Sequence, residues 1–288
     1  MTILLTGGNG KTTRQIARLF EEAKLPFVTA SRSPSHPAAK VHRKFDWLDE
    51  ATFANALSSD DGMKPVSAIW LVAPPVADPA PPVIKFIDLA REKGVKRFVL
   101  LSASIIEKGG PAMGSIHAHL DSLAGISYAV LRPTWFMENF STAGEFQFET
   151  MAKENNIYSA AEDGKIPFIS TVDIARVAFR ALTADSIDAK DLVLVGPELL
   201  TYDDVAKTLS KVLGRDITHV RVTEAALAEK RRESGVPADI ADMIASMDLI
   251  VRSGAEDRMN TAVKDFTGVE PRSFAEFASK EREAWLST

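Results

Sequence analysis

A short apolar strand, Thr2-Ile3-Leu4-Leu5-Thr6, breaks directly into Gly7-Gly8-Asn9-Gly10 and then into an amphipathic stretch from Lys11 to Ala23. Few folds are open to a chain that begins this way. Glycines let the backbone turn sharply and approach a pyrophosphate, and the helix that follows offers its unpaired amides and positive dipole end to the anion. The spacing is Gly7-x-x-Gly10-x-x-Thr13, so Thr13 stands where the usual third glycine would be. Gly10-Lys11-Thr12 imitates the end of a triphosphate-binding loop, but that motif needs glycine where Leu5 stands. The Asp that would hold magnesium is also missing, because Ile69-Trp70-Leu71-Val72 runs on into Ala73-Pro74-Pro75.

Downstream, apolar runs alternate with amphipathic ones. Strands are expected at 2–6, 26–31, 42–47, 67–73, 96–102 and 127–132, with helices at 11–23, 49–57, 82–93 and 111–123. Runs such as Phe98-Val99-Leu100-Leu101 have no polar face, which indicates a parallel sheet covered on both sides. The expected fold class is therefore α/β, a Rossmann-type doubly wound parallel sheet with a smaller, mainly helical C-terminal lobe. Residues 1–140 would form the nucleotide-binding domain, with segments around 165–198 returning to it, and 141–288 would be mainly a substrate lobe. Helices should open at Thr171-Val172-Asp173, Thr201-Tyr202-Asp203-Asp204 and Thr223-Glu224, each with a side chain able to cap free amides. The stretch 235–254 reads as a helix with exposed methionines and alanines, part of the lobe or a lid. The run Lys230-Arg231-Arg232, bracketed by Glu229 and Glu233, reads as a solvated helix face.

Composition narrows the function. A net charge of -5 leaves no basic footprint for nucleic acid or an anionic membrane. No apolar run reaches the ~20 residues a spanning helix needs, and the first residues lack a signal-peptide pattern. The chain has no cysteine, which removes disulfides, thiolate catalysis and cysteine-bound zinc and suits the cytoplasm.

The first turn assigns Thr6, Gly7, Gly8, Asn9, Gly10, Lys11 and Thr12 to a dinucleotide. The second strand selects among nicotinamide cofactors, because an acidic residue at its end holds the ribose hydroxyls of NADH whereas a 2′-phosphate wants a cation. Here the strand ends Thr29-Ala30-Ser31-Arg32-Ser33. Arg32, flanked by serine hydroxyls and no carboxylate, favours NADPH. Asp46 is a candidate partner for the adenine amino group, or else the cap of the next helix. Trp47, Val72 and Pro74 belong to the same expected site. Ser102 and Ser104, just past the fifth strand, sit where the nicotinamide ribose should pass.

The proton donor of the short-chain reductases, Tyr-x-x-x-Lys, is missing: four residues after Tyr128, Tyr158 and Tyr202 stand Arg132, Glu162 and Ala206. Its slots would fall near Met113 and His117. Carbonyl reduction makes an alkoxide that needs a proton, whereas hydride addition to an iminium ion gives a neutral amine directly. Such a chain is a non-catalytic cofactor sensor, an enzyme for a substrate already cationic, or a carbonyl or quinone reductase with His117 or His119 as acid.

The segments Thr6–Thr12, FVLLSAS at 98–104, KGGPAMG at 108–114 and LRPTWFMENF at 131–140 resemble the NmrA-like atypical short-chain dehydrogenases. HAHLDS at 117–122, GKIPFIS at 164–170, GPELLTYDDVA at 196–206 and TGVEPRSF at 267–274 extend the likeness over nearly the whole chain. KGGPAMG with HAHLDS points to the branch that makes agroclavine and festuclavine in fungal ergot alkaloid biosynthesis. The resemblance implies NADPH-dependent reduction of a clavine iminium, agroclavine more readily than festuclavine, formed from chanoclavine-I aldehyde after an upstream flavoenzyme has acted. It also places Pro133, Trp135, Phe136 and Met137 near the nicotinamide. Trp135 and Phe136 would then wall the pocket beside Met113 and His117, their electron-rich faces suited to a cation.

Overall fold

The computed structural model describes residues 2–34, 41–59, 62–187 and 189–286, and the chain divides into two compact units. The first comprises Met1–Pro133, Thr171–Leu194 and Ala262–Gly268. Its N-terminal segment ends at Pro133 rather than near 140, and 262–268 joins it as a short third piece that no pattern in the sequence marks.

This unit is built on a seven-stranded sheet of order β3-β2-β1-β4-β5-β6-β8, every neighbouring pair parallel. The strands are β1 (Thr2–Thr6), β2 (Phe27–Ser31), β3 (His42–Lys44), β4 (Val66–Leu71), β5 (Arg97–Leu101), β6 (Ser127–Pro133) and, after a long excursion, β8 (Asp191–Leu194). Strand order reverses direction between β1 and β4, the switch point at which such sheets open a crevice beyond their carboxyl ends. All five residues of β1 are buried, which is why the strand carries no polar alternation. Helices α1 (Lys11–Glu22) and α6 (Thr171–Thr183) pack together, and Phe20 meets the Phe179 ring edge-on at 4.9 Å. Burying a side chain such as the fully enclosed Phe20 contributes ~1.5–3 kcal/mol. The short α2 (Phe53–Ala56), α3 (Ala80–Glu92) and α4 (Met113–Ser122) contribute to a second cluster around Phe45, Phe53, Phe86 and Phe98.

The second unit comprises Thr134–Ser170, Val195–Thr261 and Val269–Thr288. A two-stranded parallel sheet of β7 (Asn156–Ser159) and β9 (Thr218–Arg221) is surrounded by α5 (Phe146–Glu154), α7 (Tyr202–Leu213), α8 (Glu224–Glu233), α9 (Ala238–Arg252), α11 (Phe274–Lys280) and α12 (Arg282–Leu286). The remaining helix, α10 (Ala262–Thr267), lies against α6 in the first unit. Capping drawn from the sequence is realised: Thr201 and Asp204 form a reciprocal capping box at α7, and the Thr223 hydroxyl accepts the Ala226 N–H at α8.

Two expectations for this unit are overturned. Lys230-Arg231-Arg232 is a solvated face only at Arg232, which pairs with exposed Glu229 and Asp242: Lys230 lies 4.1 Å over the Tyr158 ring and Arg231 4.5 Å over the Phe146 ring, and burial lowers the Arg231 pKa. Their aliphatic stems cover apolar surface while ring faces hold the cations. Of the three alanines on α9 only Ala238, at its start, is exposed. Ala241 and Ala245 are fully buried, small enough to let α8 approach closely, and only Met243 of the methionines stands out, at 53% exposure.

Candidate functional site

Beyond the carboxyl ends of β1, β2 and β4, the first unit opens into a groove of about 400 Å³, within the range of small-molecule pockets. Nine of the residues assigned from sequence line it: Gly7, Asn9, Gly10, Ser31, Arg32, Asp46, Trp47, Val72 and Pro74. Gly7 has φ +64, and a Cβ there would meet the Val72 Cβ at 3.0 Å, so both conformation and space demand glycine. Gly10 is extended at φ -69; its constraint is proximity, because an added Cβ would lie 3.1 Å from the Gly7 carbonyl oxygen.

Gly10 is also the N-cap of α1, with no side chain to cap the helix and no acidic residue in the first turn. The leading amides are thus left for an anion. Within that turn the Thr12 hydroxyl is buried with no hydrogen-bond partner, an orphan that a phosphate oxygen would satisfy. These features fit a nicotinamide dinucleotide, whose phosphates Gly7, Gly10, Thr12 and the α1 amides would hold.

Thr6 and Thr13 build the turn from beneath. The Thr6 hydroxyl donates to the Trp70 carbonyl and accepts the Val72 N–H, both at 2.9 Å, so its side chain serves the sheet and not a ligand. Thr13, in place of the third glycine, accepts the Trp70 indole N–H at 3.0 Å and donates to the Thr6 carbonyl at 3.2 Å. Trp70 is fully buried, and a buried indole N–H needs an acceptor; threonine supplies what glycine could not.

At the far end of the groove the Trp47 indole donates to the Val72 carbonyl at 3.0 Å, fixing the floor. The capping alternative for Asp46 falls away, since Asp49 caps the following turn by accepting the Ala51 N–H. One Asp46 oxygen accepts the Leu48 N–H at 3.0 Å. Leu48, which the sequence reading passed over, is 70% exposed on the lip of the groove, an apolar surface suited to a base. The signal available was its place directly after Asp46-Trp47. No carboxylate among the described residues pairs with Arg32, which is exposed at the groove's edge.

Gly8, Lys11, Ser102, Ser104 and Pro133 lie outside the lining of this groove. Ser102 and Ser104 follow β5 and are tied through their amides to the Leu131 and Pro133 carbonyls at 2.8 and 2.9 Å. Arg132 is buried beside them, bonded to the Ser104 carbonyl at 2.8 Å, to Asp191 at 3.1 Å and to Glu107. That arrangement anchors the loop after β5 to the sheet.

The expected substrate-pocket residues divide between the units, Met113 and His117 in the first and Trp135, Phe136 and Met137 in the second. Met113 packs against the first unit's core, and His117 is 3% exposed, edge-on to the Tyr128 ring, with its pKa lowered by burial. Met137 is fully enclosed in the second unit's core. His117 and Met137 are core residues in the structure, because the inward faces of their elements carry them, whereas Met113 is only partly buried against its core. Trp135 is partly buried at the edge of that core, and its carbonyl accepts the Ile169 N–H at 2.9 Å; Phe136 beside it is also partly exposed. His119 contacts Asp88 at 2.8 Å.

No tyrosine is placed as an acid. Tyr128 donates to Asp121 and its pKa is driven up by burial; Tyr158 donates to Glu154; Tyr202 is buried in the second core, its pKa raised well above the usual range by desolvation. A Ser159–His219–Asp203 chain of hydrogen bonds, 2.8 Å at each step, looks like a hydrolytic relay. Ser159 is fully buried and its oxygen accepts the Ala161 N–H, so the chain ties β7, β9 and α7 together. Among the described residues there is no cluster that could hold a metal ion and no helix long and apolar enough to cross a membrane.

The NmrA-like family model matches residues 1–278. The chain is 65% identical over 286 residues to agroclavine dehydrogenase of Claviceps fusiformis, covering 99% of both proteins. It is 49% identical over 293 residues to a festuclavine dehydrogenase of Aspergillus fumigatus, again covering 99% of each. Among solved structures, the Escherichia coli NADPH-dependent quinone oxidoreductase QOR2 complexed with NADPH superposes with a TM-score of 0.77 at 25% identity, over 96% of this chain and 99% of that one.

Proposed function

The chain belongs to the NmrA-like family, and we propose that within it the protein is an NADPH-dependent reductase of a clavine iminium ion, releasing agroclavine in preference to festuclavine. The placement of its acids carries the chemical reading. All three tyrosines are engaged elsewhere or buried, and His117 is enclosed and favoured in its neutral form. A substrate that needs no proton suits such a site.

Bound NADPH would supply the hydride. The new C–H bond forms at the iminium carbon, and the C=N π pair becomes the nitrogen lone pair of a neutral amine, so no proton moves. What the residues contribute is placement and exclusion of water. Gly7, Gly10 and the α1 amides would hold phosphate, Arg32 would take the 2′-phosphate, and Trp47 and Leu48 would enclose the base. Trp135 and Phe136 offer ring faces to the cationic substrate. The substrate would come from an upstream flavoenzyme acting on chanoclavine-I aldehyde, and the absence of cysteine suits work in the cytoplasm.

The test is a coupled assay with chanoclavine-I aldehyde, the flavoenzyme and NADPH, with products identified by mass. Agroclavine formed with matching NADPH consumption is expected. Cofactor binding without turnover would make the protein a sensor. Turnover of carbonyls or quinones, governed by one group near pH 6–7, would make it an acid-assisted reductase instead.

A further inference from the structure

The turn that presents Arg32 is held from outside the groove. The Ser31 hydroxyl donates to the Ser33 carbonyl at 2.6 Å, closing the turn around Arg32. The same oxygen lies 3.0 Å from Nε2 of His42, at the start of β3. Serine has one hydroxyl proton, and it is spent on Ser33, so the Ser31 oxygen accepts and His42 Nε2–H donates. The chain of bonds therefore runs from His42 to Ser31 to Ser33. The Ser31 carbonyl meanwhile accepts the Phe45 N–H at 3.0 Å, the last bond before the backbone leaves the sheet. Ser31 is thereby fixed by backbone and side chain, while Arg32 beside it is exposed.

His42 does not line the groove, so its effect on a ligand must pass through Ser31. We propose that His42 is a positioning residue for cofactor choice: its Nε2–H, through the Ser31 hydroxyl, holds the Ser31–Ser33 turn in the shape that aims Arg32 at a ribose 2′-phosphate. The proposal rests on the assignment of Arg32 to that phosphate. NADH places only a neutral ribose hydroxyl at this turn where NADPH places a phosphate, so loss of the tie weakens NADPH far more than NADH, whereas a general loss of structure weakens both cofactors. Phosphate recognition by a long cationic side chain is costly in entropy unless its backbone is fixed, which is what the tie supplies.

The experiment measures dissociation constants for NADPH and NADH by titration in six proteins: wild type, His42→Leu, Ser31→Ala, the double variant, Arg32→Glu, and His42→Gln, whose amide can still donate. His42→Leu is expected to lower the NADPH-over-NADH preference roughly five- to tenfold, the scale of one hydrogen bond, with NADH affinity little changed. The double variant should lose no more preference than Ser31→Ala alone, and His42→Gln should recover most of it. An unchanged preference in His42→Leu, or equal weakening of both cofactors, would overturn the proposal. If His42→Leu does not fold, Ser31→Ala against His42→Gln decides, since they cut and keep the same chain of bonds. Arg32→Glu separates the two readings. If it leaves the preference intact, the phosphate site itself is misassigned; if it abolishes the preference while His42→Leu is silent, only the His42 tie fails.

Discussion

Replacing Thr13 by valine removes one oxygen and leaves the shape nearly unchanged, in a place where that oxygen has two duties. It accepts the Trp70 indole N–H and donates to the Thr6 carbonyl, and both Thr13 and Trp70 are out of contact with solvent. An indole donor left unsatisfied in the core costs ~1–3 kcal/mol, and the lost bond to Thr6 adds ~0.5–1.5 kcal/mol, so a total of ~2–4 kcal/mol is expected. Thr13→Gly, which would complete the usual glycine pattern, should be worse, because glycine is also a few tenths of a kcal/mol poorer than threonine in a helix and leaves the buried side-chain space empty. The partner change Trp70→Phe removes the donor, and in that background Thr13→Val should cost ~1–2 kcal/mol less than in the wild type. The assay is urea unfolding followed by far-UV circular dichroism, with the slope m checked for constancy so that shifts of midpoint report stability. Equal costs of Thr13→Val in the two backgrounds would refute the idea that threonine stands in the third-glycine position to satisfy Trp70.

Arg32→Glu should raise the dissociation constant for NADPH ~10–100-fold more than that for NADH, the scale of a charge-assisted bond to phosphate; parallel weakening in titrations would count against the site. Gly10→Val should abolish cofactor binding while circular dichroism stays native, because the side chain starts 3.1 Å from the Gly7 carbonyl; a wild-type affinity would move the phosphate elsewhere. Asp248, 4% exposed and bonded to the Ala160 N–H, has its pKa raised by burial to about 6. The folded state therefore holds this proton more tightly than the unfolded chain, and stability falls as pH rises from about 4 to about 6 and stays lower above. Asp248→Asn should erase that slope and add up to ~3 kcal/mol at neutral pH, measured as thermal midpoints across pH; an unaltered slope would show that another group titrates. With NADPH saturating, His117→Ala should keep kcat/KM within ~tenfold, below the ~10²–10⁴-fold loss of a general acid, while Trp135→Ala should lose more; the reverse order would favour acid-assisted carbonyl reduction.

Much of the fold was legible because its signals are local. Buried parallel strands such as β1 and β5 read as unbroken apolar runs, and α7 and α8 announce their starts through Thr201 and Thr223. The second half was harder. β7, β8 and β9 are four residues each, too short for a period to emerge, and β8 joins the sheet next to β6 only after a long detour through the other unit. Charge misled for a related reason. Lys230 and Arg231 look like solvent residues in the sequence, but the rings that receive them belong to β7 and α5, far away along the chain.

The candidate site divides the same way, and the division has a physical cause. Nine groove residues sit at the carboxyl ends of β1, β2 and β4 or just past β3, where topology alone puts ligands, so finding the strand ends was enough to find them. What gives those positions their properties lies off the strand ends and depends on register. Thr29 pairs with His42 across β2 and β3, which brings the His42 ring beside Ser31; a shift of one residue would turn it to the opposite face. Thr13 meets Trp70 across 57 residues for a similar reason, since Leu5 pairs with Trp70 in the sheet that α1 covers. Sequence pattern therefore locates ligand-facing backbone, while the side chains that tune it are fixed by pairings between strands. His117 shows the converse: its spacing matched a catalytic slot, but the helix face carrying it turns into the core, and burial disfavours the charged form an acid would need.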